Sequence, residues 1–279
     1  MPKIADDIER HYARGGLADR LLAALAEAGK DIDRLTTADL APLDQFHSRR
    51  LRATEELAAM LAPAPGDALI DIGSGLGGPA RYLAEVCGCR VSGIDLTADF
   101  VTAASELTRR VGLADRADFR QASALDLPFP DAGFDLAWSQ NVAMNIADRP
   151  RYYAEMYRVL KPGGRAGIQD VAQGPGGPPH YPLMWADTPQ TSFLLTPEKT
   201  REEIAAAGFE ILLWQDNTDA ALAEAQAERE RLKADPQPPP ALGIHLIVGE
   251  TFQQKVRNGG RSMSENRIRL VNAVLRRPA

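Results

Sequence analysis

Residues 69–78 read LIDIGSGLGG: an apolar run, an acid, then four glycines (Gly73, Gly75, Gly77, Gly78) within six residues. Glycine lacks a Cβ and turns through left-handed backbone at little cost, so such a loop lets a ligand approach the main chain. Gly73-Ser74-Gly75-Leu76-Gly77-Gly78 satisfies G-x-G-x-x-G, and Asp95 lies 22 residues after Gly73, at the end of the next apolar run. A carboxylate there can accept hydrogen bonds from both hydroxyls of a ribose. Two ligand chemistries compete for this arrangement, a dinucleotide pyrophosphate and a phosphate-free nucleoside. Asp71 argues against the first. Two residues before Gly73, its carboxylate would repel a pyrophosphate and would suit a ligand with a positively charged end. The motif also begins near residue 69, after two helical stretches, whereas dinucleotide domains often open a chain with it.

The flanking sequence must hold this loop at the end of a strand. ALIDI (68–72), RVSGID (90–95), ADFRQA (117–122), FDLAWSQ (134–140) and RAGIQDV (165–171) read as strands. GPARYLAEV (78–86), ADFVTAASELTRRVG (98–112) and RPRYYAEMYRVLKPGG (149–164) read as helices between them, the last ending on a turn at Pro162 and its glycines. This alternation predicts an α/β fold with a doubly wound, mostly parallel sheet and right-handed crossovers. Upstream, residues 4–30 carry Leu17, Leu21, Leu22, Leu25 and Ala28 at helical spacing, with Gly29 as the stop. RRLRATEELAAML (49–61) gives a second helix, closed by PAPG.

The rhythm breaks after Val171. QGPGGPPHYPLMWADTP (173–189) is too long for an ordinary connection, and its Tyr181, Met184 and Trp185 predict a packed segment. TPEKTREEIAAAG (196–208) is a helix with Thr196 as N-cap and Pro197 at its first position. FEILLWQD (209–216) is a strand, residues 219–233 a polar helix ended by PQPPP, and RLVNAVL (269–275) a final strand. The expected organisation is an N-terminal helical lid over residues 1–48. A domain over 49–279 follows, built on a seven-stranded sheet with helical cap insertions at about 173–196 and 216–266.

DIGSGLGG, the acid of GIDL, ALDLPFPDAGFDLAWSQ and MYRVLKPGG occur in that order at suitable spacing. Together they resemble the class I S-adenosylmethionine-dependent methyltransferases over about residues 49–214. QFHSR, SQNVAMNI and GPGGPP extend the likeness toward bacterial small-molecule enzymes near the sarcosine/dimethylglycine N-methyltransferases. The resemblance implies a Rossmann-like methyltransferase fold, S-adenosylmethionine as methyl donor and S-adenosylhomocysteine as product. The donor has a ribose, an adenine, a sulfonium and a zwitterionic methionine but no phosphate, which agrees with Asp71. On this reading Asp71, Gly73, Ser74, Gly75 and Gly77 surround the ribose and methionine parts, and Asp95 grips the ribose diol. Leu96 packs on the adenine, Ser123, Ala124 and Leu125 edge it, and Gln140 meets the methionine end. Relatives often carry Asp where Ser123 stands, so the contact to the adenine amino group is weaker here.

Methyl transfer from a sulfonium is an in-line displacement, so the protein chiefly aligns the acceptor and excludes water. An amine acceptor must also be unprotonated. The catalytic candidates are His47, Asn145 and Asp170. The acceptor-binding candidates are Gln45, Phe46, Asn141, Met144, Tyr181, Trp185 and His245, and no metal is expected. Each has a structural alternative: His47 and Asn145 as capping groups, His245 between Ile244 and Leu246 as a core histidine, Trp185 as packing. The functional alternative for Trp185 is a cation–π wall against an ammonium group. The favoured acceptor is an amine or amino-acid nitrogen. The alternative is an oxygen or carbon of a larger natural product, with ALGIHLIVG (241–249) and Met144 forming a greasier pocket. A nicotinamide-dinucleotide oxidoreductase is the distant alternative.

The net charge of −6 argues against a nucleic-acid partner. The late basic residues Arg257, Arg261, Arg267, Arg269, Arg276 and Arg277 are scattered and read as a solvated face, with anion binding as the alternative. MPKIADDIERHY has no apolar signal region, and no apolar run approaches the roughly 20 residues needed to span a bilayer. Cys87 and Cys89 read as free thiols in a reducing compartment. The expectation is a cytoplasmic protein with a small-molecule acceptor and no membrane partner, its N-terminal helix serving as a lid or as a homodimer contact.

Overall fold

The computed structural model of the chain describes residues 15–238 and 240–279. One sheet carries seven strands: β1 (Ala68–Ile72), β2 (Arg90–Asp95), β3 (Ala117–Gln121), β4 (Phe134–Gln140), β5 (Leu160–Gln173), β6 (Glu210–Asp216) and β7 (Ile268–Arg276). Their spatial order is β3-β2-β1-β4-β5-β7-β6. The first five pair in parallel, and β7 runs antiparallel between β5 and β6.

Parallel strands covered on both faces need continuous apolar runs rather than alternation. ALIDI and FDLAW supply them. Because side chains alternate along a strand, Ile70 and Ile72 join one core with Ile94, Ala137 and Ile168. Leu69 joins the opposite core with Val91, Leu136 and Trp138. The flanking helices are α1 (Leu17–Glu27), α2 (Thr37–Asp44), α3 (Arg50–Leu61), α4 (Gly78–Glu85), α5 (Ala98–Arg110), α6 (Arg149–Val159) and α7 (Pro197–Ala206). α5 shows why they form: Phe100, Ala103, Ala104 and Leu107 fall on one stripe and are buried.

The first helix is described only as Leu17–Glu27, ended by Gly29 at φ 78°, and the expected helical residues 4–14 lie outside the described residues. α2 was not foreseen. It starts on a capping box, with Asp39 N donating to Thr36 Oγ1 and Thr36 N donating to Asp39 Oδ2. α6 stops at Val159, short of the expected 164. Lys161 precedes Pro162, whose ring drives the preceding residue into extended backbone, and Leu160 already pairs with Phe134 to begin β5. α7 begins as read, with Lys199 N donating to Thr196 Oγ1.

Two insertions stand over the carboxyl ends of the strands. The first, after β5, is irregular apart from a single turn at Pro189–Thr191. The second holds α8 (Thr218–Ala234), α9 (His245–Val248) and α10 (Phe252–Ser264). α10 was also not foreseen: its FQQKVRNGGRSMS carries two central glycines, each costing about 1 kcal/mol against alanine in a helix. α1 and α2 share a core with α5 and with Ile244 and Ile247 of the second insertion. Among the described residues, no helix is long and apolar enough to cross a membrane.

Candidate active site

A cavity of about 1170 Å³ opens beside the ends of β1, β2 and β4. Its floor is the glycine loop. Gly73 N and Ser74 N both donate to Ile94 O at 2.8 Å, which ties the loop to β2. Gly73 has φ 77°, and a Cβ there would stand 2.3 Å from Val142 Cγ2, so only glycine fits. Gly75 is the converse: it lines the cavity, and a Cβ on it would meet no protein atom within 4 Å. That space is left for a ligand.

Asp95 is oriented by the backbone. Gly75 N donates to Oδ2 at 2.9 Å and Thr97 N to Oδ1 at 2.8 Å. Burial pushes its carboxyl above the usual range. Asp71, only 2% exposed, is pushed up to about 8 by burial and then by the nearby charge of Asp95. Asp71 Oδ2, Ser74 Oγ and Asn141 Oδ1 are buried without a hydrogen-bond partner, and all three residues line the cavity. Each such orphan costs roughly 1–3 kcal/mol until a ligand satisfies it. Asn141 Oδ1 is an acceptor without a donor, and Asp71 becomes one on losing its proton to a cationic group, so the site calls for a ligand rich in N–H and O–H groups with a positive end. A pyrophosphate offers the opposite, and an adenosyl amino acid fits.

Residues 70–168 match the family model described as "Methyltransferase domain". The match supports a class I S-adenosylmethionine-dependent methyltransferase domain over those residues. It is 35% identical over 133 residues to methyltransferase GfsG of Streptomyces halstedii, covering 48% of each chain. It is 29% identical over 215 residues to the sarcosine/dimethylglycine N-methyltransferase of Halorhodospira halochloris, covering 77% of this chain and 76% of that one. Among solved structures, the [4+2]-cyclase SpnF aligns with 25% identity and a TM-score of 0.66, covering 90% of this chain and 100% of that one. The chain spans about half the length, or less, of several curated relatives it matches.

The remaining residues expected from sequence to hold the donor mostly meet at the cavity. Leu96, Ser123, Ala124, Leu125 and Gln140 line it. Ser123 Oγ accepts from Leu125 N at 3.1 Å, a local turn that holds the hydroxyl. Gln140 is tied on both ends, its Oε1 accepting from Trp138 Nε1 and its Nε2 donating to Gln169 Oε1, both at 2.9 Å. Gly77 does not line the cavity: a Cβ there would stand 2.6 Å from Phe119 Cζ and 2.9 Å from Arg81 Nη1, so its role is packing.

On the acceptor side Phe46, His47, Asn141, Met144, Asn145 and Trp185 reach the cavity wall. Gln45, Tyr181, His245 and Asp170 do not. Gln45 is buried, and its Oε1 accepts from Thr54 Oγ1 at 2.8 Å. Tyr181 packs with the apolar cluster under the first insertion, and His245 packs against Phe252 with centroids 6.0 Å apart and rings tilted by 57°. Asp170 accepts from Val171 N at 2.8 Å and bonds the backbone of Ala143 and Met144, so it braces the turn after β4. Burial raises its carboxyl to about 6, opposed by Arg149, whose Nη1 lies 3.8 Å away. His47 is held near 4 by burial and stays neutral. Its ring nitrogens face Ser48 O at 3.3 Å, and Gln45 Oε1 and Thr54 Oγ1 at 3.1 Å. Asn145 Nδ2 donates to Trp185 O and Thr191 O, both at 2.9 Å, stitching the first insertion to the sheet.

Several residues escaped the sequence reading. Arg81, 1% exposed, donates to Leu76 O at 2.5 Å, Asp44 Oδ2 at 2.8 Å and Thr108 Oγ1 at 2.7 Å, which locks the glycine loop against α2 and α5. Arg49, at φ 64°, chelates Glu56 and Glu224 together and so pins α8 to α3. The faces of α8 and α10 toward the cavity, Leu222 and Met263 among them, were also missed. The only sequence signal was the apolar spacing of Ala221, Leu222 and Ala225 within an otherwise polar helix.

Proposed function

We propose that this chain transfers a methyl group from S-adenosylmethionine to an oxygen or carbon of an apolar small molecule larger than an amino acid. The observation that carries this reading is the size and lining of the cavity. Drug-sized ligands occupy sites of roughly 300–1,000 Å³, and 1170 Å³ leaves room beyond a bound donor. That room is walled by Met144, Ile146, Leu183, Met184, Trp185 and Leu222. When bound, the donor supplies a methyl already activated on a sulfonium. Asp95 would hold the ribose hydroxyls, and Asp71, Ser74 and Asn141 would satisfy the charged amino-acid end. The apolar wall orients the acceptor behind the methyl and keeps water out. His47, its neutral ring held between Ser48 O and the Thr54 hydroxyl, shapes the junction between the two halves.

The likeness to the sarcosine/dimethylglycine enzyme, over most of both chains, supports a second reading with an amine acceptor. Trp185 lies on the wall with its Nε1 donating to Ser192 Oγ at 2.9 Å, which leaves a ring face for an ammonium group. The solved neighbour named a [4+2]-cyclase makes turnover itself the first thing to measure. The test is transfer of labelled methyl from S-adenosylmethionine over matched panels of hydrophobic phenols, polyketide-like hydroxyls, enols and small amines. Label in the hydrophobic panel supports the proposal. Label confined to glycine-like amines overturns it in favour of the second reading, and label in none overturns methyl transfer for these classes.

A further inference from the structure

The roof of the cavity carries a charge pattern that donor binding does not use. From α8, Glu224, Glu228 and Arg229 reach the lining, and from α10, Lys255, Arg257 and Arg261. Most of these charges are already neutralised. Glu224 pairs with Arg49 at 2.7 Å and Arg52 at 3.0 Å, and Glu228 with Arg231 at 2.7 Å. Lys255 pairs with Asp187 at 2.9 Å, and Arg261 with Glu265 at 2.6 Å. Among the described residues Arg229 and Arg257 have no carboxylate within 4.0 Å. The roof therefore presents net positive charge to the chamber, on a chain whose net charge is −6.

Arg229 is also placed. Its Nη2 lies 3.3 Å from where a Cβ on Gly260 would stand, so the exposed guanidinium approaches the bare face of α10 there. Arg257 sits one turn earlier on the same helix, and both it and Gly260 line the cavity. Two glycines in the middle of a helix carry a cost in helix stability, and here one of them, Gly260, leaves room for a guanidinium at the chamber mouth. A guanidinium offers forked N–H donors that match carboxylate or phosphate oxygens.

We infer that Arg229 and Arg257 form a subsite for an anionic group, so that the acceptor is an apolar molecule ending in a carboxylate or phosphate. This rests on the proposed apolar acceptor and deepens it. The apolar body would lie against Trp185 and Leu222 with its reacting atom toward the donor, and the acidic end would lie at the roof. An ammonium at that end would meet like charge.

The test uses three single-chain amphiphiles of equal length, decanoate, decanol and decylammonium, each titrated into protein saturated with S-adenosylhomocysteine. Decanoate is expected to bind about tenfold more tightly than decanol, as two partly screened charge-assisted contacts would give, with decylammonium weakest. In the Arg229→Gln/Arg257→Gln variant the preference should fall to near unity while S-adenosylhomocysteine affinity stays unchanged, which also reports that the variant is folded. Decyl phosphate alongside decanoate separates the two anion types. Equal binding of all three probes, or a preference that survives in the variant, overturns the anionic subsite but leaves the apolar chamber standing. No binding of any probe to protein that still binds S-adenosylhomocysteine overturns the apolar acceptor itself and the subsite with it.

Discussion

The halves of this cavity that we assign to donor and acceptor are built on different principles. The donor half is made of backbone: a loop whose amides are tied to Ile94 O, and an Asp95 carboxylate held by two N–H groups. Its geometry follows from strand ends and glycines, so a change there disturbs a rigid frame. The acceptor half is made of side chains on two insertions held by discrete bonds, Asn145 to Trp185 O and Thr191 O, and Arg49 to Glu224. Its geometry can be retuned without touching the sheet. A fold that keeps its donor frame and varies its caps can serve many acceptors.

The sharpest way to break that contrast is to unlock the frame. Arg81→Met removes one partner of the buried Arg81–Asp44 pair and strands the carboxylate, whose pKa burial already raises. Breaking such a pair costs about 3–5 kcal/mol, and a domain of this size should lose roughly 10 °C in Tm. Calorimetry of Arg81→Met beside Arg81→Met/Asp44→Leu checks it, since the double variant should recover part of the loss. A loss under 1 kcal/mol in the single variant would show that the loop does not depend on this pair. Next in size, Asp95→Ala should weaken S-adenosylhomocysteine about a hundredfold, the equivalent of two hydrogen bonds to a charged group, and should leave the fold intact. Titration calorimetry decides, and wild-type affinity would remove Asp95 from the ribose.

The same contrast explains what could be read in the sequence. The donor half was legible because its constraints are local: Gly73 must be glycine where Val142 crowds it, and Asp95 must end β2. The sheet was legible because apolar runs and helices alternate, though the antiparallel place of β7 was not, since pairing partners leave no mark on a single strand. The acceptor half was poorly legible. Tyr181 and His245 looked chemical but pack elsewhere, and Asp170 braces backbone, because whether a side chain faces the cavity depends on how an irregular insertion folds. α10 was hidden by its two central glycines, one of which, Gly260, faces Arg229. The late arginines, scattered in sequence, divide in space: Arg269 pairs with Asp216 and Arg276 with Glu210, while Arg257 turns to the chamber.

Asp71 gives the donor half a pH signature of its own. Its folded pKa is raised to about 8, so the empty site holds a proton there at neutral pH, and a cationic ligand favours the carboxylate. Donor binding then releases that proton, and affinity should rise by up to about tenfold per pH unit from pH 6 toward 8, then level off. Asp71→Asn should flatten the profile. The sign for stability is opposite. The folded empty protein binds the proton more tightly than the unfolded chain, so this group's contribution is present below about pH 4 and is lost as pH rises through 8. Calorimetry in buffers of different ionisation enthalpy detects the proton, and a pH-independent affinity in wild type would mean that Asp71 does not meet the charged end.

The smallest expected effect sharpens the comparison most. Arg49 keeps both its bonds to Glu56 when Glu224 is changed to Gln, so α3 stays anchored and only the tie to α8 weakens. A partly exposed pair is worth about 1 kcal/mol or less. That predicts up to about fivefold faster amide exchange along residues 218–234, with exchange in α5 and β1 unchanged and S-adenosylhomocysteine affinity unaltered. If exchange rose equally in β1, the two halves would be one cooperative unit and the caps could not vary independently of the donor frame. If exchange rose in α8 alone, the roof of the acceptor chamber would be the separately adjustable part of the molecule, and Glu224 its adjustable joint.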